Sequence, residues 1–184
     1  MTHPTRHHVF ETAAGFAAIG WNDAGICSFR LPAQTAGAAE RALLKRFPAS
    51  AAATPPAEVR DIVDLALRYF TGEPIDFSAV AVDLGEQEPL FARIYAFVRG
   101  LGWGETTTYG GVAKELGEGP EAARTVGQAM ANNPVPLIVP CHRVMAAGGR
   151  IGGFSAPGGS ESKARMLELE GTAPRPDAQM GFGF

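Results

Sequence analysis

The chain has 184 residues, enough for one large domain or two small ones. Hydrophobic residues make up 46% and charged residues 19%, which excludes a disordered chain; a net charge of -3 excludes a globally basic nucleic-acid binder, so any such surface is a local patch. Two cysteines, Cys27 and Cys141, exclude a disulfide framework, and no apolar run reaches the ~18–20 residues of a membrane span, so a soluble, reduced, cytoplasmic protein without a leader is expected.

Residues 8–31 read as three strands, HVFETA, GFAAIGW and GICSFRL, punctuated at Gly15 and at Asn22-Asp23-Ala24-Gly25. Apolar alternation between turn residues predicts an antiparallel meander, with Cys27 in its core. AAERALLKRF (38–47) reads as a helix stopped by Pro48. PAEVRDIVDLALRYFTG (56–72) is a stronger one, because Val59, Ile62, Val63, Ala66 and Phe70 form one stripe at helical spacing. FSAVAVDL (77–84) alternates like a further strand. From residue 86 helix signals take over: a stripe of Leu90, Ile94, Phe97, Val98 and Leu101, then TYGGVAKELG (108–117), then PEAARTVGQAMANN (120–133) with Pro120 opening it. Two short helices joined across Gly117-Glu118-Gly119 have the dimensions of a helix-turn-helix. SESKARMLELEG (160–171) reads as a last helix stopped by Gly171, and TAPRPDAQMGFGF as a loose tail. The expected division is an N-terminal module at 1–85, a helical domain at 86–171 and a tail at 172–184.

Cys141 stands out from this background. LIVP (137–140) is apolar and expected to be extended, so the thiol sits where a buried segment emerges, followed at once by His142 and Arg143. The thiolate is the reactive form of cysteine, and neighbouring positive charge favours it. Adjacent side chains on an extended chain point opposite ways, so helical or turn backbone must follow Cys141 for His142 to serve it. Such a base needs a third group to orient it, and Glu170 in the closing helix is a candidate. A buried inert cysteine is the alternative reading. Structural zinc needs about four ligands, which one Cys-His pair does not supply.

VPCHRVMAAGGRIGGFS resembles the active-site segment of the O6-alkylguanine-DNA alkyltransferases, also called methylated-DNA–protein-cysteine methyltransferases. The resemblance continues through GETTTYGGVA, AARTVGQAM, ANNPVP and LELEG, covers roughly residues 88–171, and reaches the N-terminal module only weakly. It implies an α+β fold: a ribonuclease-H-like α/β module, then a helical domain with a winged-helix-like helix-turn-helix and an active-site loop. It also implies a single-turnover transfer of the O6-alkyl group of guanine in double-stranded DNA to the protein, with no cofactor, no metal, no membrane, and a monomer as the acting species.

Residue by residue, the resemblance makes Cys141 the alkyl acceptor, His142 its base through a water, and Glu170 the carboxylate that holds His142. Asn133 ties the turn before the active-site segment. Tyr109 serves guanine N3 as the base leaves, and the carbonyls of Cys141 and Val144 accept from its amino group. Met130 and Phe154 line the pocket, and Ser155 lies near O6. Arg124 enters the space left by the flipped nucleotide, from a helix whose small residues Ala122, Ala123, Gly127 and Ala131 form a slim face; Thr125 and Gln128 share that helix as DNA-contacting candidates. Between Pro120 and Arg165 five basic residues (Arg124, Arg143, Arg150, Lys163, Arg165) stand against two acidic ones, a local surplus of +3 that fits a phosphate-facing patch.

Ala131 departs from the family, which often has an arginine there, and Ile94-Tyr95 replaces its usual Val-Trp pair. Three other readings compete. A non-enzymatic binder of alkylated guanine would lack the cysteine. A regulator reading a major groove would need a polar recognition helix, against the Ala- and Gly-rich 122–131 stretch. A cysteine hydrolase would separate its Cys and His along the chain. Preferred alkyl size and activity on O4-alkylthymine stay open.

Overall fold

Three strands, β1 (Arg6–Thr12), β2 (Gly15–Asn22) and β3 (Gly25–Ala33), make the expected antiparallel meander in this computed structural model, which describes residues 3–151 and 159–172. Val9 pairs with Ala18, and Ala18 lies across from Arg30. The turns are built by their side chains. Asn22 Oδ1 accepts from the Ala24 and Gly25 amides at 2.8 and 3.1 Å. Gly25 has φ 151°, and a Cβ there would stand 2.7 Å from the Ala81 carbonyl oxygen, so this turn requires glycine.

Helix α1 (Ala36–Arg46) is capped by the Thr35 hydroxyl, which accepts from the Ala38 amide at 3.1 Å. It buries Ala39 and Leu43 with Ala18 and Phe47. A short strand β4 (Ala51–Ala52) runs parallel to β1, giving the sheet order β3-β2-β1-β4. Helix α2 (Ala57–Tyr69) follows Pro56 and buries Val59, Ala66 and Tyr69.

The strand expected over 77–84 does not form. Ser78 N donates to Asp76 Oδ1 and Val80 N to the Phe77 carbonyl, so the segment begins as a turn. What remains is one isolated parallel bridge between Val82 and Ile26. The expectation of an extended LIVP segment fails too. Leu137 takes a left-handed φ of 76°, and Val139 N donates back to the Val135 carbonyl at 2.9 Å. The run is a buried turn, and its apolar character reflects burial rather than strand geometry.

Helix α3 (Pro89–Arg99) buries Ile94, Tyr95 and Val98. Strand β5 (Thr107–Thr108) leads into helix α4 (Tyr109–Glu115), whose N-terminus is capped by the Thr108 hydroxyl accepting from Gly111 N at 2.9 Å. Gly117, at φ 73°, ends α4, and helix α5 spans Ala122–Ala131. Pro120 lies in the turn before α5 rather than at its first helical position. Tyr95 Oη donates to the Ala129 carbonyl at 2.8 Å and pins α3 to α5. A single 3-10 turn, Cys141–Arg143, precedes strand β6 (Val144–Met145), and helix α6 spans Gly159–Leu169.

The chain divides into two compact units, Met1–Glu88 with Asn133–Val139, and Pro89–Asn132 with Pro140–Phe184. The sequence reading places its boundaries after residues 85 and 171, and leaves 133–139 with the helical part. Among the described residues no helix is long and apolar enough to cross a membrane, and no group of three or more His, Cys, Asp or Glu could hold a metal.

Candidate active site

Cys141 opens the 3-10 turn and is 3% exposed. The tight turn supplies the non-extended backbone that the Cys-His pair needs. His142 is fully buried, and its Nε2 lies 2.6 Å from Glu170 Oε1. Glu170 directly follows α6 and is held on every side. Arg143 Nη2 donates to Oε1 at 2.9 Å, Arg143 Nε to Oε2 at 3.0 Å, and the Gly104 amide to Oε2 at 3.3 Å. Arg143 Nη1 also donates to the Leu101 carbonyl at 2.6 Å.

A carboxylate that accepts from an arginine and an amide is ionised, because it is acting as an acceptor throughout. His142 Nε2 is therefore the donor in the 2.6 Å contact, and the buried Nδ1 carries the lone pair of the neutral ring. Burial pushes the His142 pKa below its ordinary value; Glu170 opposes that shift, while Arg143 and Lys163 add to it. The result is a neutral imidazole of fixed tautomer next to a thiol, which is the equipment of a base that activates a nucleophile.

The short parallel pair β5–β6 brings in the second half of the site. Thr107 pairs with Val144 and Thr108 with Met145, so the start of α4, with Tyr109, is tied to the strand that leaves the cysteine turn. Tyr109 is half-buried. Burial first, and then the Cys141 charge, raises its pKa, so it stays a neutral phenol able to donate. Lys163 on α6 donates from Nζ to the Val144 carbonyl at 2.7 Å and lies 5.8 Å from the centre of the Tyr109 ring.

The structure thus brings together Cys141, His142, Glu170, Val144 and Tyr109. Asn133 falls in the other unit, where Nδ2 donates to the Val139 carbonyl at 2.8 Å and Oδ1 accepts from Val135 N at 3.0 Å. These two bonds brace the turn that leads into Pro140 and Cys141. On α5, Met130 is buried; Arg124 and Gln128 are exposed, with Ala123, Thr125 and Gly127 half-buried between them. A Cβ on Gly127 would meet nothing within 4 Å, so that face is open. Ala122 is buried and leaves the slim face. Phe154 and Ser155 lie outside the described residues.

The charge patch needs correction. Arg143 is bound to Glu170, Lys163 is buried, and Arg165 pairs with Glu161 at 2.5 Å. Of the five basic residues, Arg124 and Arg150 remain exposed and make no ion pair among the described residues. Sequence reasoning missed the structural parts played by Arg143 and Lys163. Arg143 had a signal, since it adjoins His142. Lys163 had none: in SESKAR it reads as a solvated helix lysine.

Residues 89–172 match the DNA-binding domain of 6-O-methylguanine DNA methyltransferase, which gives the class of the helical unit. A methylated-DNA–protein-cysteine methyltransferase of Methanopyrus kandleri is 43% identical over 126 residues, 66% of this chain and 90% of that protein. One of Sulfolobus acidocaldarius is 45% identical over 103 residues, 56% of this chain and 61% of that protein, so less than two thirds of its length is spanned. A crystal structure of Mycobacterium tuberculosis OGT in complex with DNA superposes with a TM-score of 0.72 at 30% identity, covering 92% of this chain and 95% of that one. The chain belongs to the methylated-DNA–protein-cysteine methyltransferase family.

Proposed function

We propose that this protein repairs DNA by direct reversal, taking the O6-alkyl group of guanine onto Cys141 in one irreversible turnover. The observation that carries the reading is the buried relay at Cys141: a neutral His142, its Nε2 held by Glu170 at 2.6 Å, one residue from the thiol in a 3-10 turn. The thiol proton passes to His142. Sulfur then attacks the alkyl carbon, the S–C bond forms, the C–O6 bond breaks, and its electron pair stays on guanine, where the proton ends. Tyr109, a phenol that resists ionisation, donates to the base as negative charge develops there. The Cys141 and Val144 carbonyls receive the guanine amino group.

A stacked guanine cannot bring its O6 substituent to a cysteine that is 3% exposed, so the nucleotide leaves the duplex. That step falls to α4 and α5, acting as a helix-turn-helix in the helical domain at 86–171. Arg124 fills the gap, Ala123, Thr125 and Gln128 lie against the groove, and Met130 lines the pocket. The open face at Gly127 supports close approach to DNA. With Arg143 and Lys163 buried, few phosphates are neutralised, so the electrostatic part of duplex affinity is weak and its salt dependence shallow. The N-terminal module is assigned a ribonuclease-H-like arrangement, which the order β3-β2-β1-β4 supports, β4 being parallel to β1. The acting species is a monomer.

Intact mass after mixing with a duplex that carries one O6-methylguanine tests the reading. The expected result is a gain of one methyl, mapped to Cys141 and absent in Cys141→Ala. Unchanged mass despite preferential binding of the lesion would replace the transferase with a recognition protein.

A further inference from the structure

Lys163 is 1% exposed, on the face of α6 that the surface charges Glu161 and Arg165 leave. Burying an ammonium is costly, and a lysine is seldom fully enclosed without a partner that justifies it. Its Nζ donates to the Val144 carbonyl at 2.7 Å and lies 5.8 Å from the Tyr109 ring centre. Burial lowers its pKa to about 8, and the negative charge that opposes this is Cys141. The groups facing it are Cys141 and His142 from the 3-10 turn, Val144 from β6 and Tyr109 from α4.

We propose that Lys163 is a positioning residue of the transfer site, whose ammonium, fixed between Val144 and Tyr109, holds Cys141 as the thiolate. It acts through the sulfur and touches neither the alkyl group nor the base. The same charge disfavours imidazolium at His142, so the proton that His142 takes moves on rather than resting there. The hydrogen bond to Val144 also fixes the carbonyl assigned above to the guanine amino group, and a carbonyl has a second lone pair for the base. The inference rests on Cys141 as the acceptor, and its test separates from that reading because it needs no DNA.

The rate at which Cys141 reacts with iodoacetamide is measured against pH by peptide mapping, for wild type and for three variants. Lys163→Gln keeps a donor for the Val144 carbonyl without the charge, Lys163→Met removes both, and Lys163→Arg keeps the charge. The expected result is a roughly tenfold slower reaction at pH 7 in Gln and Met, with the profile moved up by about one pH unit, and recovery of most of the loss in Arg. Wild-type reactivity in a folded Lys163→Gln overturns the proposal, as does a Lys163→Arg as slow as Lys163→Gln. If Lys163→Met does not fold, the Gln and Arg pair decides alone. A thiolate shift without methyl uptake by the wild type would sink the repair function and leave the role of Lys163 standing.

Discussion

Cys27 and Cys141 are buried to nearly the same degree, 2% and 3% exposed, and they are opposite in chemistry. Cys27 sits in β3, its sulfur 3.7 Å from the Gly20 carbonyl it donates to; burial first, and then the Asp83 charge, pushes its pKa up to about 12. Cys141 sits in a 3-10 turn beside His142, with the Lys163 charge coupled to it. Burial alone makes a thiol inert. What distinguishes the second is a set of cationic and basic neighbours, each fixed by its own hydrogen bonds.

The comparison breaks most completely if the wrong cysteine is removed. Cys141→Ala is expected to abolish methyl uptake from an O6-methylguanine duplex, while Cys27→Ala takes up one methyl as wild type does, both read by intact mass. Methyl uptake by Cys141→Ala would overturn the assignment of the acceptor. Glu170→Gln comes next. It leaves the buried Arg143 guanidinium without its carboxylate, and a loss of about 3–5 kcal/mol is expected in urea unfolding, together with slower transfer. A loss below about 1 kcal/mol would mean that the pair is not the brace described here.

Alkaline stability sharpens the contrast, because the two regions predict opposite slopes. Lys163 is lowered to about 8 in the folded protein against an ordinary 10.5, so between these values the unfolded chain holds more protons and rising pH stabilises the fold. Wild type is therefore expected to gain about 3 kcal/mol relative to Lys163→Met from pH 8 to 10.5. Cys27 is raised from 9.0 to about 12, so the folded state holds the extra proton there, and stability falls as pH rises through that window. Cys27→Ala removes that decline in a pH series of unfolding curves. The smallest effect is expected at the exposed Arg124: Arg124→Ala slows transfer from duplex DNA by roughly tenfold, about 1.4 kcal/mol, and leaves the iodoacetamide reaction of Cys141 unchanged. An equal slowing of both reactions would place Arg124 in the thiol's chemistry rather than at the DNA.

The same two regions show what the sequence could carry. β1 to β3 were legible because alternation and turn residues agree, and Asn22 and Gly25 do what their residue types predict. FSAVAVDL alternates equally well but forms no strand, because Asp76 and Phe77 close a turn at its start. β4 was invisible, two alanines whose pairing is set by β1 and not by their own pattern. At the site, Cys141, His142 and Glu170 were readable from residue type, order and family resemblance. Lys163 was not, since nothing in SESKAR tells which way a helix lysine faces; that depends on the β5–β6 pairing that sets Tyr109 and Val144 before it. Charge counting failed for the same reason: it treats Arg143 and Lys163 as surface when both are buried.

The seven residues Asn133–Val139 belong with the first unit, although both of their flanks belong to the second. The chain therefore crosses between units three times, and neither is a bead on a string. A protease cut after Glu88 severs one crossing of three, and a gene trimmed to begin at Pro89 still encodes Val135, Leu137, Ile138 and Val139, which are buried in the whole protein. Such a fragment carries an apolar strip made for a partner it has lost.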